Sequence, residues 1–233
     1  SSSAASDVYK RQNCMWLKGV VMKAHYNGLI PRNPFIQFHI SPNVKEREYL
    51  TEDELKAVMT HEFADSKLAY IRDIFIFASF TVLSFVDIQE LTNDNIVEVN
   101  GEKWILSKRH KTKVAFQVKL LDIPLQIVER YRPMQKDNRI FPDLNYWSIC
   151  KPLKRMIREC GITKSISFHC SRHGFATLAL SKGMPIESVS RVLGHTNIVT
   201  TQLYAKITTQ KLDNDLTMFG NKLSKTFNGI TMS

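Results

Sequence analysis

Residues 165–206 read SISFHCSRHGFATLALSKGMPIESVSRVLGHTNIVTTQLYAK. They contain His169, Arg172, His195 and Tyr204, each following the last by three, twenty-three and nine positions. An always-charged guanidinium, two imidazoles and a phenol in that order suggest chemistry at a phosphodiester. A phenol with a pKa near ~10 needs a base, and surroundings that tolerate the developing anion, before it can attack phosphorus. Arg172 offers a planar fork suited to the non-bridging oxygens of the transition state. His169 and His195 can donate to the same oxygens or move protons.

The local signals around this stretch are helical. Ser167 is the expected cap of a helix starting near Phe168, which places His169 and Arg172 on one face near an anion-favouring helix start. Gly183 closes that helix, Pro185 opens another, and Gly194 ends it. Thr196 or Asn197 is expected to cap a further helix carrying Tyr204. Residues 208–219 offer one more helix, with Leu212, Leu216 and Phe219 as an apolar stripe.

Working back from that stretch, residues 146–160 form a helix capped by Asn145 and closed by Gly161. Lys151, Lys154, Arg155 and Arg158 recur on it at helical spacing, while Leu153, Met156 and Ile157 are offset from them. Such a face is usually a solvated surface. No acid interleaves the four cations, so a phosphate-facing surface is the competing reading. Pro124 fits the first turn of a short helix reaching Tyr131. Residues 95–120 change to strand composition: Asn100-Gly101 is a two-residue hairpin signal, and Val114, Phe116, Val118 and Leu120 alternate as in a half-buried strand. Between the second and third strands lies a cationic turn, residues 108–113, with Arg109, Lys111 and Lys113. Residues 67–85 read as a buried helix. Thr51 and Glu54 form a capping-box pattern ahead of an earlier helix.

The front of the chain is different. Residues 1–12 are small, polar and without hydrophobic period, and read as a non-native or disordered leader. Residues 14–29 suggest one helix ended by Asn27-Gly28, and residues 31–50 an extended linker with Pro31, Pro34 and Pro42. A lone helix cannot bury its own apolar face, so residues 13–30 read as the end of a domain otherwise absent. The main domain is expected over residues 51–220, with a tail over 221–233.

Composition bounds the function. The chain has 233 residues, 43% hydrophobic content and a net charge of +10, which favours a polyanionic partner, nucleic acid ahead of membrane. No apolar run approaches the ~18 residues needed to span a bilayer. Cys14, Cys150, Cys160 and Cys170 match neither a zinc site nor a disulfide framework, so a reducing cytoplasm is expected. His169 and His173 stand at a ligand-like spacing, but no acid lies between them and Arg172 would repel a cation, so no metal is expected. No glycine-rich phosphate loop is present, so no nucleotide cofactor is implied.

Taken together, the motifs resemble the catalytic domain of the tyrosine recombinase or phage integrase family over residues 51–219. His169-Cys170-Ser171-Arg172 matches its His-x-x-Arg element, Leu193-Gly194-His195 its Leu-Gly-His element, Lys111 its hairpin lysine and Tyr204 its nucleophile. Residues 13–30 resemble the end of the family's core-binding domain. Asn33-Pro34-Phe35 and the lack of a long insert resemble integrases of conjugative and mobilisable transposons. The resemblance implies an α+β, mainly helical fold with a small three-stranded antiparallel sheet. It implies a site-specific recombinase that forms a 3′-phosphotyrosyl link through Tyr204. Arg172, His169 and His195 would steady the phosphorane, with Lys111 as general acid. Double-stranded DNA would be the partner, four protomers would assemble on it, no cofactor would be needed, and the protein would act in the bacterial cytoplasm at the nucleoid.

One position departs from the pattern. The family's first arginine falls on Ser84, in Thr81-Val82-Leu83-Ser84, and a serine cannot replace a guanidinium. Either another cation serves, with Arg109 as the candidate, or the activity is impaired. Arg109 could instead touch only the DNA backbone, like Lys113. The alternatives to a recombinase are a DNA-binding accessory relative without catalysis and a type IB topoisomerase. A covalent complex lost in Tyr204→Phe separates the first, and relaxation of supercoils without a partner site would identify the second.

Overall fold

The computed structural model describes the backbone of residues 2–37, 48–110, 114–135, 137–195, 197–205 and 209–226. Side chains are described from residue 13 onward within these ranges, except residues 209–211 and 214. The chain divides into two units, residues 1–46 and 47–233.

The first unit contains helix α1 (Ser2–Tyr26). Its backbone is helical from Ser2, so the helix begins twelve residues before the position its apolar pattern suggests. Gly28, at φ +72°, turns the chain out of it, and Leu29 N–H closes the end on the Ala24 carbonyl at 2.9 Å. Trp16 is 72% exposed, in keeping with one helix being unable to cover its own apolar face.

The second unit is built around α3. Before it, α2 (Glu52–Thr60) starts at the expected capping box: Glu54 N–H donates to Thr51 Oγ1 and Thr51 N–H to the Glu54 carboxylate. Helix α3 (Ser66–Thr81) is capped by Asp65. Ile71, Ile74, Phe75, Phe77 and Ala78 on it are all buried, so it is the core helix rather than a surface one. It stops four residues short of the expected end, because Val82 takes a left-handed conformation, φ 61° and ψ 14°. Ser84 then caps the short α4 (Phe85–Gln89).

A three-stranded antiparallel sheet follows in the order β1 (Ile96–Val99), β2 (Glu102–Lys108), β3 (Ala115–Lys119). Asn100 and Gly101 both take positive φ, 54° and 76°, which is the twist a two-residue hairpin needs. Ile105 faces Val118 across the sheet and both are buried. Helices α5 (Asp122–Tyr131) and α6 (Tyr146–Glu159) come next, α6 capped by Asn145.

Helix α7 (Cys170–Ser181) begins two residues later than Ser167 suggests. Ser167 does not cap it, since its amide and hydroxyl engage the Cys170 sulfur at 3.3 Å; His169 occupies the cap position. Gly183 and Gly194, both at positive φ, end α7 and α8 (Ile186–Leu193) as expected. Ile198, not Thr196 or Asn197, holds the cap position of α9 (Val199–Gln202), although the Asn197 side chain accepts the Val199 amide; α9 is a single turn and closes before Tyr204. The nucleophile candidate therefore lies on the turn after that helix, not on it. Helix α10 (Thr209–Thr226) runs past the expected end at 219, with Leu212, Leu216 and Phe219 exposed.

α3 packs on α5, α6 and α7 to make the main core. A second, smaller core joins Val82, Ala176, Leu180, Val189 and Leu193, and Tyr204 packs against it. The expected mainly helical architecture with one small sheet is what the chain adopts. Among the described residues no helix is long and apolar enough to cross a membrane.

Candidate active site

The site is organised on the carbonyl oxygen of Val82, at the C-terminal end of α3. A β-branched residue in the left-handed region is strained by about 1–2 kcal/mol. The Val82 side chain is fully buried in the second core, and burial of a valine contributes about 1.5–3 kcal/mol, so packing outweighs the strain. The turn aims the carbonyl at two guanidiniums: Arg109 Nη1 and Arg172 Nη1 each donate to it at 3.3 Å.

Arg109 leaves the end of β2 and is 8% exposed. Its Nη1 pairs with Asp87 at 2.9 Å, its Nη2 donates to the Val192 carbonyl at 3.2 Å, and its guanidinium carbon lies 4.4 Å from the centre of the Phe116 ring. Its Nε is buried without a hydrogen-bond partner among the described residues. A Cβ on Gly194 would approach that nitrogen to 3.6 Å. Asp87 also receives the Ser84 hydroxyl at 2.8 Å and the His110 amide at 3.0 Å. Burial pushes its carboxyl up, but these hydrogen bonds and Arg109 outweigh burial and hold it below the usual carboxylate range. The space beside Ser84 is thus occupied by an arginine from another element.

Arg172, in the first turn of α7, also donates to the Leu193 carbonyl. Burial, then the neighbouring Arg109 charge, pushes its guanidinium down to about 10, so it is still charged at neutral pH. The first amides of α7 are not open to an anion: Cys170 and Ser171 N–H donate to the Ser167 and Phe168 carbonyls. The anion site expected at this helix start is therefore not formed by its first amides.

The imidazoles and the phenol meet here too. The His169 and His173 rings lie 4.8 Å apart, edge to face, and the His173 ring lies 5.1 Å from that of Tyr204. On the other side His195 stacks nearly parallel to Tyr204, at 14° and 6.5 Å. His195 Nδ1 is 2.8 Å from Thr201 Oγ1. Burial first, then Arg172 and Arg109, push the His195 imidazole below its ordinary value, so it is neutral at pH 7. Arg109, Arg172, His169, His195 and Tyr204 are therefore gathered in one place. Lys111 and Lys113 lie outside the described residues.

The α6 cations do not join them. Lys151, Lys154, Arg155 and Arg158 line an open groove of about 440 Å³ with Glu159. Arg155 is held by Glu159 at 2.7 Å and by Asp65 at 3.3 Å. Asp65 caps the end of α3 opposite Val82, about 24 Å away along the helix axis. The Tyr146 ring, at the other end of α6, touches Phe85. The cationic face thus leads away from the site.

Four contributors are not evident from residue types alone. Asp87 hides inside the Ser84-x-x-Asp87 capping pattern. His173 directly follows Arg172. Val82 acts through its backbone, and Thr201 is one of two adjacent threonines that nothing in the sequence distinguishes.

A family model described as the phage integrase family matches residues 48–211. Tyrosine recombinase XerA of Pyrococcus horikoshii is 32% identical over 177 residues, covering 70% of this chain and 58% of the relative. Tyrosine recombinase XerC of Lactobacillus leichmannii is 26% identical over 200 residues, covering 79% and 67%. The chain therefore spans little more than half the length of the XerA relative. Among solved structures, the Tn1549 transposon integrase in complex with circular intermediate DNA superposes with a TM-score of 0.67 at 17% identity, over 86% of this chain and 75% of that one. A lambda integrase dimer bound to a COC′ core site superposes at 0.64 and 18% identity, over 87% and 76%. These two likenesses concern the fold.

Proposed function

The chain belongs to the phage integrase family, and from that premise we propose that it is a site-specific DNA recombinase acting through Tyr204. The observation that carries this reading is the meeting of two guanidiniums, Arg109 and Arg172, on one carbonyl, beside a tyrosine flanked by His173 and His195. Two fixed cations beside a phenol match what the pentavalent phosphorus demands.

In the proposed step the Tyr204 oxygen attacks the scissile phosphorus and an imidazole of the His169–His173 pair takes its proton. The bond from phosphorus to the 5′ oxygen breaks, leaving a 3′-phosphotyrosyl link and a 5′ hydroxyl. Lys111 supplies the proton to the leaving oxygen. Arg172 and His195 hold the non-bridging oxygens. Arg109 serves as the second cation in place of the family's first arginine. A 5′ hydroxyl from the partner duplex then reverses the step. No cofactor is required, because the phosphotyrosyl bond conserves the energy of the phosphodiester. By the same reading residues 51–220 form the catalytic domain and residues 13–30 end a DNA-clamping domain. Four protomers assemble on two duplexes, and Lys113 and the α6 cations contact DNA phosphates.

The test is covalent capture on a nicked suicide duplex. Wild-type protein forms a protein–DNA adduct and Tyr204→Phe forms none. Arg109→Ala loses about 10²–10³ in cleavage rate, the usual cost of removing one transition-state donor. Undiminished cleavage by Arg109→Ala would sink its role. Ser84 favours a second reading, a DNA-binding relative without catalysis, and an absent adduct with intact DNA binding would establish it.

A further inference from the structure

Thr201 is fully buried, yet its hydroxyl is polar. A buried hydroxyl hydrogen is almost always donated to an acceptor. Among the described residues Thr201 Oγ1 has one hydrogen-bond partner, His195 Nδ1 at 2.8 Å. The backbone of Thr201 is equally engaged: its amide donates to the Ile198 carbonyl at 2.8 Å, and its carbonyl accepts the Tyr204 amide at 3.0 Å. One residue therefore holds the histidine through its side chain and the nucleophile's turn through its main chain.

We propose that Thr201 is a positioning residue: its hydroxyl donates to His195 Nδ1, fixes the proton on Nε2, and so presents His195 as a neutral hydrogen-bond donor locked in register with Tyr204. The inference rests on the recombinase reading above for what His195 donates to. The opposite tautomer would have Nδ1–H donate to the hydroxyl and leave the buried hydroxyl hydrogen without an acceptor among the described residues. With Nδ1 filled, the ring nitrogen remaining for phosphate carries a hydrogen at every pH where the ring is intact and neutral. Burial and the two guanidiniums keep the ring in that neutral state. The arrangement suits a site that already holds two fixed positive charges, since a neutral donor adds a hydrogen bond without a third charge. Because Thr201 also receives the Tyr204 amide, any shift of the single-turn α9 moves donor and nucleophile together and preserves their spacing.

The experiment uses the full chain labelled with ¹⁵N-histidine, with His195 assigned by comparison with His195→Gln. Long-range ¹H–¹⁵N spectra distinguish the two neutral tautomers. The wild type shows the Nε2–H form, Thr201→Ser keeps it, and Thr201→Val, nearly the same shape without the hydroxyl, loses the single tautomer. On the nicked duplex Thr201→Val cleaves about 10–100-fold more slowly, by analogy with the loss of a group that orients a metal-ligating histidine. Thr201→Ser restores the rate. The Nδ1–H tautomer in the wild type overturns the proposal, as does a Thr201→Val protein that cleaves at the wild-type rate. A wild-type protein that forms no adduct refutes the recombinase reading, while the spectra still decide which tautomer Thr201 imposes.

Discussion

At Asp87 one carboxylate oxygen accepts both the Ser84 hydroxyl at 2.8 Å and the Arg109 guanidinium at 2.9 Å, and the other accepts the His110 amide. The residue works as a helix-cap partner and as the counter-ion of a buried arginine. Removing only its charge should show which role dominates. Asp87→Asn keeps the size but leaves Arg109 buried without a balancing anion, and breaking a buried pair in this way costs about 3–5 kcal/mol. Urea unfolding should show that loss; a change under about 1 kcal/mol, the scale of a capping contact, would mean that Arg109 does not depend on Asp87. The carboxyl is held low, so its contribution is complete above the ordinary carboxylate pKa and is lost only as pH falls through the depressed folded value. At this scale the sequence discloses reactive residue types but not their burial. His169, Arg172, His195 and Tyr204 stand out because their order is informative. Arg109 can be named from its place near Lys111 as a candidate second cation but its burial cannot, because an arginine in a cationic hairpin looks solvated until Phe116, Val192 and Gly194 are seen around it.

Two unrelated elements deliver the paired guanidiniums, the end of β2 and the first turn of α7, and both reach the C-terminal carbonyl of α3. The charge beside Ser84 is therefore supplied from across the fold rather than from the turn after α3. Ser84 is exposed and its hydroxyl donates to the Asp87 oxygen that also holds Arg109, so Ser84→Arg alone should remove that capping bond and set a second cation beside Arg109. Losing a cap costs about 0.5–2 kcal/mol, so thermal unfolding should shift down and cleavage should not rise. Ser84→Arg combined with Arg109→Ala should recover stability and cleavage; failure of the double variant to cleave better than Arg109→Ala would show that the two positions are not interchangeable. Elements with strong local chemistry are legible in advance. The Thr51 capping box, the Asn100-Gly101 turn and the Asn145 cap all fall where residue types put them. The starts of α7 and the extent of α9 are not, because Ser167 is drawn to Cys170 and a single turn carries no period to read.

Across residues 47–233, the positive charge is arranged in two ways. Arg109 is buried, Arg172 is half-buried, and both are braced, whereas Lys151, Lys154 and Arg158 on α6 are exposed and have no acidic partner among the described residues. Lys154→Ala should weaken DNA binding about equally for all sequences and lower the slope of log affinity against log salt by about one. Arg155→Ala, already paired with Asp65 and Glu159, should change the slope less. An unchanged slope in Lys154→Ala would remove α6 from the DNA surface. The mainly helical fold was readable because motif order and patterning agree over a long span; the helical backbone of residues 2–12 was not, since those residues carry no apolar period. The Val82 carbonyl has a further consequence. It is the negative pole of the core helix and accepts from both guanidiniums; under the proposed function it is a resident placeholder for a phosphate oxygen. Bringing two like charges together is thereby completed during folding. Under the proposed recombinase function, cleavage would begin with an exchange of acceptors rather than a search for a geometry, and competence for it should persist until α3 itself unfolds.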